Sequence, residues 1–283
     1  MEDHHVNQSP PTTTISSSTS TIIHRIITVL FIAIMSIWAN HEASKGFEIT
    51  ITNDATDLPA GRRFGLLFVS DDKATRIIIN ASHFVENILY PDDHHPRKPI
   101  DRVTLRFSGQ NLTEEGAIVA VDRRSPREFV VQISSHIMDM AHVEWAMAAA
   151  VQQGITRVWL WDGNGSAPVS LLDGMIEYIS IVAGFSPSPS DYGGAVLPES
   201  DGGCWAGMDR VGVARFLQYG EALRHGFVAR LNRAMQGPWH VRMVDDALGW
   251  PAQMLCASYH ASSALHLSNA SDSASASASG QVM

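Results

Sequence analysis

Apolar and polar positions along the chain alternate with two different periods, and the change from one to the other divides the sequence. FEITITND (residues 47–54) alternates every second residue and ends in a turn signal, which predicts a strand. DDKATRIIINASHFVENIL (71–89) places its apolar residues at helical spacing behind an aspartate cap, which predicts a helix. Strand patterns return at 100–109 and 116–122 and again at 129–134. Four helical stretches follow, at 142–161, 171–185, 212–236 and 241–260, with glycines interrupting the third. A small sheet with one helix, followed by a mainly helical C-terminal half, is an α+β fold.

The two ends depart from this pattern. Residues 1–21 are rich in Ser and Thr, and 261–283 end in SNASDSASASASGQVM. Neither holds enough apolar side chains to offset the entropy of ordering, so both are expected to be disordered tails around a domain at 46–260. Residues 26–39, IITVLFIAIMSIWA, are apolar without a break. Fourteen helical residues span about 21 Å, short of a hydrocarbon core of about 30 Å. Extending the segment to 22–39, with Arg25 snorkelling, would let it just span. A small-x-small cleavage site is missing, so an uncleaved signal anchor is favoured over a cleaved signal peptide. Either one sends the domain to the lumen or the exterior, as a single-pass membrane protein or a secreted one.

Charge and motifs narrow the function. The net charge is −9 with no long basic run, which argues against a nucleic-acid partner. HHPRK (94–98) follows two aspartates and reads as a solvated loop. No phosphate-binding glycine motif is present, so nucleotide binding has no support. Sequons at Asn80, Asn111, Asn164 and Asn269 permit glycosylation in an oxidising compartment, where Cys204 and Cys256 could pair or remain two separate thiols.

GRRFG (61–65), VWLWDGNGSAP (158–168), LLDGMIEYISIVAGF (171–185), ARFLQY (214–219) and GFVARLNRAM (226–235) occur in an order that resembles the plant basic secretory protein family. That family is regarded as zinc peptidases of plants and bacteria, and the resemblance covers roughly Gly46 to Tyr259. It implies a zincin-like fold, a zinc cofactor, a peptide-binding cleft and an association with plant defence. Active-looking members carry His-Glu-x-x-His before Val-Trp-x-Trp. Residues four apart share a helical face, so two imidazoles hold Zn²⁺ while the glutamate activates a bound water. Here the positions are Gln153, Gly154, Ile155, Thr156 and Arg157. A neutral amide is a poor zinc ligand, glycine has no base, and a guanidinium brings permanent positive charge to the place of a dication.

Asp173 and Glu177 match the family's acidic pair on the next helix with their identities exchanged. An ion pair from Arg157 to one of these acids is therefore expected in place of the metal. His136, Asp139, His142 and Glu144 are the raw material for a relocated zinc site, although His136 and His142 diverge by about 120° on a helix. Trp159 and Trp161 are candidates for lining a cleft, with packing as the more ordinary role of tryptophans at a helix end. Asp162-Gly163-Asn164-Gly165 reads as the turn between the two site helices, with Arg157 its only basic neighbour in sequence. Tyr178 and Tyr219 are expected in the core. The expectation is a peptidase-like protein of the secretory pathway without activity or cofactor, binding an unidentified peptide or protein. An active zinc peptidase with relocated ligands and an anchored scaffold with a vestigial cleft are the alternatives.

Overall fold

The computed structural model describes residues 18–43, 46–92, 95–109, 112, 117–185 and 208–259. Two units are distinguished, Met1–Gly46 and Phe47–Met283. The first contains helix α1, Ser18–Ala43. Among the described residues no helix is long and apolar enough to cross a membrane, which corrects the expectation of a membrane partner through residues 22–39. The physical reason is length. The unbroken apolar run is bounded by His24 and Arg25 and covers about 21 Å at 1.5 Å per residue, against about 30 Å of hydrocarbon. The two polar tails lie outside the described residues, apart from the first turns of α1.

The second unit is α+β. Strands β1 (Glu48–Asn53), β2 (Arg102–Ser108), β3 (Val119–Ser125) and β4 (Glu128–Ser134) form one sheet in the order β1-β2-β4-β3. β1, β2 and β4 run parallel, Ile51 opposite Leu105 and Leu105 opposite Val131, while β3 runs antiparallel along the edge of β4. A parallel neighbour demands a crossover, and α2 (Pro59–Phe64), a π-helical turn (Gly65–Val69) and α3 (Lys73–Leu89) supply it between β1 and β2. Val103, Leu105 and Phe107 of β2 are buried on alternate positions, as the period-two pattern requires.

Helix α4 (Val143–Trp159) packs against α3 and against β3 and β4, and α5 (Val169–Val182) returns beside it. The stretch 212–236, expected to be helical with glycine interruptions, forms two helices, α6 (Arg210–Leu223) and α7 (Phe227–Ala234), separated at Gly226, whose φ of 77° is left-handed. The stretch 241–260 divides in the same way. α8 (Arg242–Leu248) stops at Gly249 with φ 82°, and helix resumes at 252–259. β3 begins three residues later than its sequence pattern suggested. Asp72 precedes α3 as expected, but its side chain makes no cap hydrogen bond. The Asp71 carboxylate accepts from the Lys73 N–H instead, at 3.2 Å.

α5 and α6 approach closely because Gly174 has no side chain. A Cβ there would stand 2.2 Å from Cγ1 and 2.5 Å from Cβ of the fully buried Val213. Val213 Cβ moves only with its backbone, so Gly174→Ala is expected to destabilise the domain by about 2 kcal/mol, despite alanine's better helix propensity. Urea denaturation checks this, and a midpoint equal to or above that of the parent would contradict the close packing.

Candidate functional site

The site is built by a tight reversal between α4 and α5. Gly163, Asn164 and Gly165 all have positive φ (62°, 56° and 80°), which only glycine and asparagine adopt readily. The Gly165 and Ala167 N–H groups both donate to the Asp162 carbonyl, at 3.0 and 3.1 Å, and Pro168 then starts α5. The turn is also held from outside, because Gly163 N–H donates to the Met235 carbonyl at 3.0 Å.

Gln153 and Arg157, one helical turn apart on α4, face a cavity of about 490 Å³. Asp173 and Glu177 enter it from α5, Arg210 from α6, and the edge strand β3 covers it with Val119 and Val121. Arg157 Nη1 lies 3.5 Å from Asp173 Oδ1, with both side chains more than a third exposed. This is the Arg157–Asp173 ion pair expected from the sequence. Such an exposed pair contributes about 0–1 kcal/mol to stability, so it occupies the site more than it holds the fold together. Glu177 is buried and lies 3.7 Å from Nε of Arg210.

These residues do not fit zinc. An amide and a guanidinium stand where two imidazoles are needed, and a guanidinium has no lone pair to give. Among the described residues no three His, Cys, Asp or Glu side chains gather closely enough to hold a metal ion. The base position is closed as well. A Cβ at Gly154 would lie 2.4 Å from Cγ1 of Val131, a fully buried residue of β4, so the strand occupies the room a glutamate would need.

The residues considered for relocated ligands do not converge on this cavity. His136 and Asp139 face each other at 3.9 Å on an exposed 3-10 turn (Ser135–Asp139), and Glu144 pairs with Lys73 at 2.6 Å. His142 precedes the first turn of α4, about 16 Å along the helix axis from Gln153 and lining a different surface pocket with Arg63 and Trp145. Trp159 is a packing residue. Its ring meets Phe47 and Tyr90, and its indole N–H donates to the Ser82 hydroxyl at 2.8 Å. Trp161 is half-buried, its backbone N–H donating to Asn232 Oδ1 at 3.0 Å. Tyr178 is buried, and Tyr219 is half-buried against Tyr259. Cys256 is disulfide-bonded, while Cys204 lies outside the described residues, as do Asn111 and Asn269. Asn80 and Asn164 are exposed.

Two expectations about charge are corrected. HHPRK is not a solvated loop throughout, because Lys98 is 5% exposed and donates to the Val158 and Leu160 carbonyls at 2.7 and 2.6 Å. Its ammonium also faces the rings of Phe129 and Trp161, at 5.0 and 5.6 Å. Burial, then the Arg123 charge, pushes its pKa down to about 7. The Asp162 turn has a second basic neighbour that chain order conceals: Arg123 of β3 reaches Asp162 Oδ2 at 2.7 Å. The Pro after Lys98 and the apolar Ile100 were the available signals for a chain turning inward. Nothing in the sequence pointed to the Arg123 contact, which spans 39 residues.

Neither a curated protein nor a solved structure matches the chain. The sequence model of the family described as "Peptidase of plants and bacteria" does match, over residues 44–259. That range takes in the four-stranded sheet, the α4–α5 turn and the helices closing the cavity, so the chain belongs to this family of peptidases of plants and bacteria.

Proposed function

We propose that this chain is a peptidase-like protein that neither holds zinc nor cleaves peptides, and that it binds extended peptide segments in the cleft between β3 and helices α4 and α5. One observation carries the reading: the Arg157–Asp173 pair stands at the positions that would hold the metal, while a cavity of about 490 Å³ persists around it. An occupied metal position with the cleft still open fits binding better than it fits a vestigial scaffold, in which the pair would fill the space. β3 is an edge strand, and an extended segment can add to such an edge through main-chain hydrogen bonds, with side-chain pockets supplying selectivity. A secreted address and a defence-related role follow from the family resemblance alone.

The test is elemental analysis of the purified chain together with hydrolysis of casein. Zinc well below one atom per chain, unchanged in Asp173→Ala, and no hydrolysis above buffer are expected. About one zinc per chain, lost in Asp173→Ala, would overturn the proposal and restore the enzyme with relocated ligands.

A further inference from the structure

A second cavity, of about 330 Å³, adjoins the first, and Val121 and Arg157 line both. Among the described residues its charged lining consists of two guanidiniums, Arg123 and Arg157, and one carboxylate, Asp162. Phe129, Leu160 and Leu172 make the remaining wall apolar. Lys98 stands behind this wall with its ammonium over the Phe129 ring, and Arg123 stacks on the same ring at 5.7 Å. Each guanidinium therefore stands beside one carboxylate, Arg123 beside Asp162 and Arg157 beside Asp173, with the buried Lys98 behind the wall.

We propose that this cavity is a subsite for a carboxylate on a short apolar stem, either a glutamate side chain or the free C-terminus of a peptide laid along β3. The inference rests on the peptide-binding function above and names the chemistry that the cleft selects. Guanidinium geometry supports it. Each fork presents five N–H donors, and a single aspartate oxygen engages few of them, so Arg123 can hold Asp162 and donate to a second carboxylate as well. The Arg157–Asp173 contact is long, at 3.5 Å, and so engages the Arg157 fork weakly. The apolar wall excludes water from the stem and strengthens the charged contacts at its end. Lys98 senses both guanidiniums: after burial, the Arg123 charge and more weakly the Arg157 charge lower its pKa, while Asp162 raises it. An anion between the two arginines would oppose that repulsion.

The experiment uses the full-length chain and three pools of N-acetylated hexapeptides. One is C-terminally amidated with a fixed glutamate, one amidated with a fixed glutamine, and one carries glutamine with a free C-terminus. Calorimetry is expected to show one of the two acidic pools binding about tenfold or more tighter than the neutral pool, as charge-assisted hydrogen bonds supply. Whichever acidic pool gains identifies the source of the carboxylate. Arg123→Gln and Arg157→Gln are expected to abolish the difference, and Arg76→Gln on α3 to leave it intact. Arg123→Glu is expected to turn the preference toward a lysine pool, a gain that misfolding cannot imitate.

Equal affinity for all pools would overturn the carboxylate subsite and leave peptide binding standing. Hexanoate, followed through the Nε resonances of Arg123 and Arg157, separates the two ideas. Saturable shifts with hexanoate but not hexanamide, with no pool bound, would support the subsite and remove the peptide. Silence from hexanoate and from every pool would overturn both.

Discussion

Gly154→Glu is expected to unfold the domain or bring it close to unfolding, rather than to revive a peptidase. A Cβ at this position already meets Val131 Cγ1 at 2.4 Å, and Val131 is fully buried in the sheet with a stiff β-branched side chain. Overpacking of this kind costs about 1–3 kcal/mol, and a carboxylate forced between helix and strand without a partner adds about 3–5 kcal/mol. Domains of this size are stable by about 5–15 kcal/mol, so the sum consumes much of the margin. The triple change Gln153→His, Gly154→Glu and Arg157→His writes the motif back into the sequence and is expected to yield no folded zinc protein. Gly154→Ala isolates the steric part, at about 1–3 kcal/mol, and that cost should shrink when Val131→Ala is added. Urea denaturation of the five variants, Val131→Ala alone included, reads this out. A Gly154→Glu protein as stable as the parent, and loaded with zinc once the histidines are restored, would contradict it.

Between pH 7 and about 9.5 the domain is expected to grow more stable as pH rises, and Lys98→Met is expected to flatten that rise. Lys98 is buried, and its pKa falls from 10.5 to about 7, chiefly by desolvation. The unfolded chain then binds more protons than the folded one across this window, so the folding free energy improves with pH. The contribution is complete above the unfolded pKa and is lost as pH falls through the folded one. The fall from 10.5 to about 7 sets an upper bound of about 5 kcal/mol. The two carbonyls and two aromatic faces around the ammonium favour its charged form and reduce that to a few kcal/mol. Above pH 10 the slope should reverse, because burial holds Tyr90 and Tyr178 up to about 12 and the unfolded chain loses those protons first. Lys98→Met also leaves the Val158 and Leu160 carbonyls without their donor, at about 1–3 kcal/mol each, so the variant should be less stable at pH 9 than the parent. Thermal unfolding at half-unit pH steps tests both parts, and a parent curve flat from pH 6.5 to 9.5 would contradict them.

The fold was legible where a local period carried it. β1, β2 and β4 and helices α3 and α4 stand within about two residues of their sequence patterns, because alternation and helical spacing record burial directly. Positions set by backbone conformation were harder to place. The splits at Gly226 and Gly249 depend on left-handed φ values, which a glycine permits and does not require. The start of β3 depends on pairing with β4, a partner outside any local window.

The candidate site divides the same way. Gln153, Arg157, Asp173 and Glu177 could be grouped by spacing on two successive helices, and all four line one cavity. Arg123, Lys98, Arg210 and Val131 come from elsewhere in the chain, and tertiary packing alone brings them to the site. The reach of α1 was misjudged for a different reason. Hydropathy registered how apolar the segment is, and the membrane span failed on its extent.

β3 also sets a length. Its pairing with β4 is regular from Val119 to Arg123 and then shifts by one residue before Ser125, a bulge that bends the strand and breaks the even spacing of its outer edge. An extended chain added along that edge keeps register for about five residues, roughly 17 Å at the rise of a strand, and then loses it beside Arg123. The irregular strand end is thus a molecular ruler. It would limit how much of a bound peptide could be zipped on under the proposed function, and it denies a second copy of this chain a long, flat edge to pair with.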